Sequence, residues 1–257
     1  MLFRSPYLSD SVKVAVLPVR PTGRHRWQTV LAVQATEASD DRVQVRADIR
    51  RGNSKWVRQS EARLAPFSVS KPYRLRSGDY VAAATVSYLG ETEPRAATTR
   101  IELPTLEGDG WLLVEPIILR SLGAGRVDPE TLEGTELEGD PLLGRVPVLL
   151  HALVGDALFA STHLCRYGVS ATADKVTTTV EVAAASGPIF SASTRLTFTR
   201  DNGLHCRAVD HALPELAAGR YQVTVKTRPP ASAEIVKQVS LVLIAGPQEP
   251  EQATTDY

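Results

Sequence analysis

Familiar catalytic motifs and long apolar runs are both missing from this sequence. The chain contains no phosphate-binding loop, no dinucleotide-binding glycine pattern, no Gly-x-Ser-x-Gly elbow and no His-Glu-x-x-His. The best apolar run, VPVLLHALVGDALFA at 146–160, is too short to span a bilayer and contains Asp156. The opening MLFRSPYLSD has no apolar core of signal-peptide length. We therefore expect either a cytosolic chain or an exported one trimmed before Met1, which would be periplasmic, cell-surface or secreted.

Net charge is lacking as well, because 29 basic and 29 acidic residues cancel. A neutral chain produces no long-range field that favours nucleic acid or an anionic membrane. The charges are nevertheless unevenly placed. Residues 1–100 carry 17 basic and 9 acidic side chains, whereas residues 101–145 carry 3 and 10. The first part of the chain is therefore basic, and a short middle segment is acidic.

Alternating apolar and polar residues dominate the chain and predict β-strands. Val12, Val14 and Val16 fall on one face of SVKVAVLPV, and WQTVLAVQA and DRVQVRADI show similar patterns. Turn residues recur about every ten positions, and no stretch has a convincing helical period. The GN pair at 52–53 and DNG at 201–203 each predict a hairpin. We predict an all-β fold with two Ig-like or fibronectin-III-like β-sandwiches in tandem.

The stretch PTLEGDG at 104–110 interrupts the strand pattern with proline and glycine, which predicts a domain boundary. The predicted parts are a first sandwich at 11–104, a linker at 105–110, a second sandwich at 111–245 with an acidic loop at 127–141, and a disordered polar tail at 246–257.

The two halves share the pattern Leu-x-x-Gly-x-Tyr. RLRSGDYVAAATV at 74–86 aligns with ELAAGRYQVTVKT at 215–227, which matches Tyr80 with Tyr221. In a sandwich, the leucine closes the end of the core and the glycine permits a tight turn. The tyrosine then begins the next strand with its ring inside and its hydroxyl available to the backbone of the corner. These tyrosines are therefore interpreted as structural.

The stretch FRSPYLSDSVKVAV, followed by a sandwich that ends YRLRSGDYVAAATVSYLGETEPRAATTRIELP, resembles a region of some bacterial exported proteins. In those proteins the region follows a von Willebrand factor A-related domain. The metal-adhesion signature of that domain, Asp-x-Ser-x-Ser, does not occur in this chain. The resemblance implies accessory sandwiches outside the cytoplasm without the adhesive domain itself.

The acidic stretch DPETLEGTELEGD at 128–140 has three interpretations. An EF-hand calcium loop would need glycine at its sixth position and glutamate at its twelfth, where this stretch has Glu133 and Gly139. That pattern therefore fails. A looser calcium site at the domain junction, a solvated loop, and a segment that docks onto positive charge remain open. The candidate contact residues are Glu130, Glu133, Glu136 and Glu138.

Basic residues crowd the predicted hairpin around Trp56, and they form the second candidate contact surface. Its members are Arg46, Arg50, Arg51, Lys55, Trp56 and Arg58. Alternation places Arg46 and Arg50 on the outer face of their strand. This surface has three interpretations: an ordinary solvated surface, a contact with the acidic loop, or a binding site for nucleic acid or a polyanionic glycan.

Cys165 and Cys206 are the only two cysteines. Four states are open for them: a disulfide between the two, two separate buried thiols, a zinc site that includes His163, and a cysteine nucleophile. Strand parity places Cys206 on the inward face, with Leu196 and Phe198 of the preceding strand. No metal or other cofactor is predicted.

The sequence favours a non-catalytic structural or protein-interaction module of a bacterial exported or cell-envelope protein. A protein is the most favoured partner; a glycan is possible, nucleic acid is disfavoured, and no membrane insertion is expected. One alternative is carbohydrate binding through exposed Trp27 or Trp56, whose indoles could stack on sugars. The other is an enzyme, which would require His163, Cys165 and Cys206 to line one cleft.

Overall fold

The computed structural model describes most of the chain. The described residues are 11–35, 43–51, 56–64, 67–69, 73–87, 92–121, 142, 145–169, 173–199 and 202–245, with the backbone alone at 43–44, 56–64, 67–69 and 202. Every regular element among them is a β-strand. No helix in this part of the chain is long and apolar enough to cross a membrane.

Eight of the described strands precede residue 104. They are β1 (Val12–Gly23), β2 (Arg26–Ala35), β3 (Val43–Arg51), β4 (Trp56–Leu64), β5 (Phe67–Val69), β6 (Tyr73–Arg76), β7 (Gly78–Ser87) and β8 (Arg95–Leu103). They form two four-stranded sheets. Sheet 1 has the order β4-β3-β7-β8, and sheet 2 has the order β1-β2-β5 with β6 also paired to β2.

Ten strands follow. They are β9 (Gly110–Leu113), β10 (Ile117–Ser121), β11 (Arg145–Pro147), β12 (Ala152–Leu153), β13 (Leu158–Val169), β14 (Asp174–Ala184), β15 (Gly187–Phe198), β16 (Asn202–Ala212), β17 (Gly219–Thr227) and β18 (Ile235–Ile244). Sheet 3 has the order β11-β10-β13-β16 with β9 also paired to β13, and sheet 4 has the order β12-β18-β17-β14-β15. The all-β prediction is confirmed.

Each pair of sheets encloses its own apolar core. Sheets 1 and 2 bury a cluster that includes Val16, Leu31 and Ile49, and sheets 3 and 4 bury another that includes Leu164 and Phe198. The segment predicted to be a linker also contributes to the first core. Leu106 is buried in it, and its backbone N–H donates to the carbonyl of Arg24 at 2.9 Å.

A third apolar cluster lies between the two sandwiches. Its buried members are Val19 and Val30 of sheet 2, Ile117 and Leu119 of sheet 3, and Leu142. On β2, Val30 has the parity opposite to core residues Leu31 and Val33, so it lies on the outer face of sheet 2. The four sheets therefore stack in the order 1, 2, 3, 4, and the outer faces of sheets 2 and 3 cover each other.

This stacking explains why β2 does not alternate in burial. Val30 to Ala35 are all buried, although a half-exposed strand should bury every second side chain. The inner face of β2 contacts the core between sheets 1 and 2, and its outer face contacts the second sandwich.

The Leu-x-x-Gly-x-Tyr motif forms the same corner twice. Gly78 and Gly219 each begin a strand, and the Tyr80 hydroxyl donates to the carbonyl of Arg76 at 2.9 Å. The Tyr221 hydroxyl donates to the carbonyl of Ala217 at 2.8 Å. Each bond reaches back four residues, so the structural interpretation of both tyrosines is confirmed.

The hairpin predicted at the GN pair is present, and the prediction of a hairpin at DNG is wrong. Strands β3 and β4, on either side of the GN pair, are antiparallel neighbours. In contrast, β15 and β16, on either side of the DNG stretch, belong to sheets 4 and 3. The chain therefore crosses between sheets at this point, because β14 already pairs with β15 and β13 pairs with β16.

Candidate functional site

The candidate basic surface begins on the outer face of β3. Val45, Ala47 and Ile49 are buried, and the Arg46 side chain between them is 58% exposed. Arg51 is exposed, and its Nη2 donates to the carbonyl of Ser77 at 2.6 Å.

The remaining members of this surface are less fully described. Arg50 is half-buried on the same face as Arg46. Trp56 and Arg58 lie in β4, of which the structure describes only the backbone, and Lys55 lies outside the described residues. The acidic stretch 128–140, with Glu130, Glu133, Glu136 and Glu138, also lies outside them. The predicted contact between the two surfaces therefore stays a prediction.

A carboxylate lies within the basic surface. The Asp48 side chain is 15% exposed, its Oδ2 lies 3.8 Å from Nε of Arg46, and its Oδ1 is buried without a hydrogen bond among the described groups. Burial raises the pKa of Asp48, and the positive charge of Arg46 partly opposes that rise. The outer face of sheet 1 is consequently mixed in charge rather than uniformly basic.

A disulfide joins Cys165 and Cys206, which are directly opposite each other on β13 and β16 with Cα atoms 4.0 Å apart. Neither sulfur in this bridge is a thiolate, so neither can ligate zinc or act as a nucleophile. Within the described part of the chain, no three His, Cys, Asp or Glu side chains are grouped to hold a metal ion.

The disulfide does not face the core between sheets 3 and 4, so the predicted orientation of Cys206 is wrong. Tyr167 and Leu204, which share its parity, pack against the core of the first sandwich. The Cys206 sulfur itself lies 4.0 Å from the carbonyl oxygen of Pro21 on β1. The prediction failed because it treated β15 and β16 as one hairpin.

His163 lies on this same outer face of sheet 3. Its pKa is lowered to about 4, mainly by burial and also by the neighbouring Arg20 guanidinium, while a hydrogen bond with the backbone of Val19 acts in the opposite direction. Both neighbours belong to β1 of the first sandwich. The imidazole is therefore neutral at neutral pH and is held between the two sandwiches.

The tryptophans differ in their surroundings. Trp27 is 2% exposed, and its indole N–H donates to the carbonyl of Pro104 at 2.8 Å, so it cannot stack on a sugar. Trp111 is half-buried and meets the ring of Phe198 edge-on, with ring centroids 4.8 Å apart. The hypothesis that Trp27 binds carbohydrate is therefore wrong. For Trp56 it stays a prediction, because the structure describes only the backbone of β4.

Gln34 connects the two sandwiches directly. Its side chain is 2% exposed, and its Oε1 accepts from the backbone N–H of Leu149 at 2.7 Å and of Leu150 at 2.9 Å. Its Nε2 donates to the carbonyl of His151 at 2.8 Å. A buried amide that makes three such bonds positions one sandwich on the other. The only sequence signal is a polar residue within an apolar strand.

Arg166 is a second buried polar group that the sequence did not indicate. Its Nη1 donates to Oδ2 of Asp174 at 2.8 Å, and its Nη2 donates to the carbonyl of Thr199. The guanidinium carbon also lies 5.9 Å from the ring centroids of Trp111 and Phe198. This group links sheets 3 and 4, because Asp174 begins β14 and Arg166 belongs to β13.

Strand β15 presents an open backbone edge. This strand has 12 residues and is the last strand of sheet 4. Its backbone pairs with β14 on one side, and no described residue pairs with it on the other. Arg195 is its only charged residue. Unpaired peptide groups along an edge strand are a template for another strand.

A shallow groove of about 410 Å³ opens at one end of the second sandwich. Leu158, Pro214, Leu216 and Asp156 are among the residues that line it. The Asp156 carboxylate already accepts from the Leu153 N–H at 2.9 Å and from Arg120 at 3.4 Å. Most of the lining residues are apolar, and the Asp156 carboxylate is occupied by hydrogen bonds within the fold.

Comparisons with known proteins identify no family. No family model matches the chain, and no curated protein matches it. The solved structures found by comparison include red sea bream transglutaminase, at 10% identity and a TM-score of 0.27 over 91% of this chain. A calcium-binding mutant of Bacteroides uniformis β-glucuronidase 2 matches at 9% identity and a TM-score of 0.28, also over 91% of this chain.

The chain spans about a third of each of these two proteins, 31% of the transglutaminase and 32% of the glucuronidase. Matches with such low identity and TM-scores carry no argument about activity.

Proposed function

We propose that this chain is a non-catalytic structural or protein-interaction module of a bacterial exported or cell-envelope protein. The observation that supports this most directly is the packing of sheet 2 on sheet 3. A four-sheet stack of fixed geometry is suited to hold surfaces at a set distance and orientation. In such modules the contacts with partners are made by loops and sheet edges.

The interface between the sandwiches is of a kind that resists reorientation. It combines the apolar cluster around Val19, Val30 and Leu119 with the three hydrogen bonds of the buried Gln34 amide. Sliding one sandwich over the other would leave those peptide groups without partners, which costs about 1–3 kcal/mol for each.

The compartment is supported by the cysteines. Both cysteines of the chain are joined in the disulfide, and stable disulfides persist in oxidising compartments such as the periplasm or the cell exterior. The resemblance to sandwiches that follow von Willebrand factor A-related domains agrees with that location.

Small-angle scattering on the intact chain tests the rigid arrangement. Curves recorded at about 0.01 M and about 1 M salt should superimpose, because the interface is largely uncharged and is not screened. A Val30→Asp variant, which places a charge in the interface, should give a larger radius of gyration. Salt-dependent curves for the natural chain would overturn the proposed rigid module.

Trapping thiols in the native cell tests the compartment. A thiol-reactive reagent added to intact cells before lysis should leave both cysteines unmodified until reductant is supplied. Modification of Cys165 and Cys206 without reductant would show that the chain resides in a reducing compartment, and the export proposal would fail.

A further inference from the structure

We propose that the open edge of β15 binds an extended, acidic segment of a partner protein as an added antiparallel strand. This inference extends the proposed function, because it names the contact surface and the chemistry of the partner. It rests on the geometry of one strand and on the charges beside it.

The first observation is that β15 is long, regular and little protected. The only irregularity in its pairing with β14 lies near its start, between Val182 and Ala183 of the partner strand, and Pro188 lies at the same end. From Phe190 to Phe198 the register is continuous. Natural edge strands are commonly blocked by charged residues, proline or bulges, and of these this part of β15 has only Arg195.

The second observation is that two other long edges carry more charge. Strand β8, the edge of sheet 1, carries Arg95, Arg100 and Glu102 among nine residues. Strand β16, the edge of sheet 3, carries Arg207 and Asp210. On β15 the outward residues before and after Arg195 are Ser193 and Thr197, which offer no charge against an incoming strand.

The third observation concerns the sign of charge. Arg195 and Lys175 are exposed, and they are diagonal neighbours, because Arg195 is opposite Thr177 and Lys175 is opposite Thr197. The acidic residue on the same face of β14, Glu181, is already paired with Lys226 at 2.5 Å. This end of the edge is therefore positively charged. Acidic side chains on an added strand would form favourable cross-strand pairs with Arg195 and Lys175.

The same charges disfavour a second copy of the chain as the occupant. Two copies paired through β15 would each bring Arg195 and Lys175 and no free carboxylate from this face. Like charges on adjoining strands are destabilising. An acidic partner segment gains the same backbone hydrogen bonds without this cost.

The test uses three fluorescent peptides of about ten residues, a length that matches the regular part of β15. One peptide alternates valine and glutamate, one alternates valine and lysine, and one is the glutamate peptide with a central proline. Binding to the intact chain is measured by anisotropy. The glutamate peptide should bind at least tenfold more tightly than either of the others, and amide exchange should slow within residues 190–198.

Two matched variants locate the site. Arg195→Glu should weaken binding of the glutamate peptide at least tenfold and strengthen binding of the lysine peptide. Arg220→Glu, on the exposed face of the interior strand β17, should change binding less than twofold. Equal binding of the glutamate and lysine peptides, or equal effects of the two variants, would overturn the proposal.

Sedimentation of the chain alone completes the test. A monomer supports a heterologous partner, and a dimer in which amide exchange slows within residues 190–198 would overturn the acidic segment in favour of a second copy. If scattering is independent of salt but no peptide binds, this inference is wrong and the proposed rigid module is still supported.

Discussion

The two inner sheets of the stack differ from the two outer sheets in the number of faces that they bury. Sheets 2 and 3 are covered on both faces where they pack on each other, whereas sheets 1 and 4 have one face exposed. The polar groups differ accordingly. Gln34 and His163 lie on inner sheets and contact the neighbouring sandwich, while Arg46 and Arg195 extend from outer sheets.

This difference predicts where substitutions are costly. Both faces of an inner sheet are shielded from water. A polar side chain there must therefore form its hydrogen bonds within the protein, whichever face it lies on. A polar side chain on an outer sheet can exchange its partner for water. We therefore expect large effects in the middle of the stack and small effects outside it.

The largest effect is expected from the disulfide, which lies on the outer face of sheet 3 that packs on the first sandwich. Replacing both Cys165 and Cys206 with alanine should lower the free energy of unfolding by about 4 kcal/mol, because the bridge closes a loop of about 40 residues. Urea titration followed by tryptophan fluorescence measures it. Wild-type protein in reductant is the control, and an unchanged midpoint would contradict the expectation.

The next effect concerns Gln34. Gln34→Ala should lower the free energy of unfolding by about 3 kcal/mol, since three backbone groups of the second sandwich lose their partner. The matched control is Gln238→Ala on the exposed face of sheet 4, with an expected change within about 0.5 kcal/mol. Equal losses in the two variants would remove the distinction between inner and outer sheets.

The third effect is a dependence on pH. The pKa of His163 is about 4 in the folded protein and about 6.5 in the unfolded chain, so the unfolded chain binds the proton first as the pH falls. Stability from this group is complete above about pH 6.5 and declines toward pH 4, by about 3 kcal/mol. Denaturation at a series of pH values should show this decline, and His163→Gln should flatten it.

The two tyrosine corners provide a finer comparison. Tyr80 is 3% exposed and Tyr221 is half-buried, although each donates the same hydrogen bond. Tyr80→Phe should cost about 1 kcal/mol and Tyr221→Phe about half of that, because water can replace the bond only at the more exposed corner. Thermal unfolding of both variants measures the difference, and a larger loss at Tyr221 would reverse the argument.

The smallest effect is expected at Asp48 on the outer face of sheet 1. Its pKa is raised in the folded protein by burial, so the folded state binds the proton more readily than the unfolded chain. Stability from this group therefore increases as the pH falls, opposite to His163. Asp48→Asn should stabilise the protein slightly at neutral pH, and a loss of stability would show that the ion pair with Arg46 outweighs burial.

Local patterns were enough to predict the all-β fold and the tyrosine corners, because alternation and turn chemistry act between residues close in sequence. They could not predict that Val30 and Gln34 are buried, since those positions are covered by residues more than eighty positions later in the chain. The same limit explains the error at Cys206. Its orientation depends on the pairing of β16 with β13 rather than with the strand before it.

The cluster formed by Val19, Val30, Ile117 and Leu119 has a practical consequence for anyone who divides this gene. Each half made alone would expose an apolar surface to solvent and would tend to aggregate. Mixed during refolding, the two pieces should find each other and complement in trans without a covalent link.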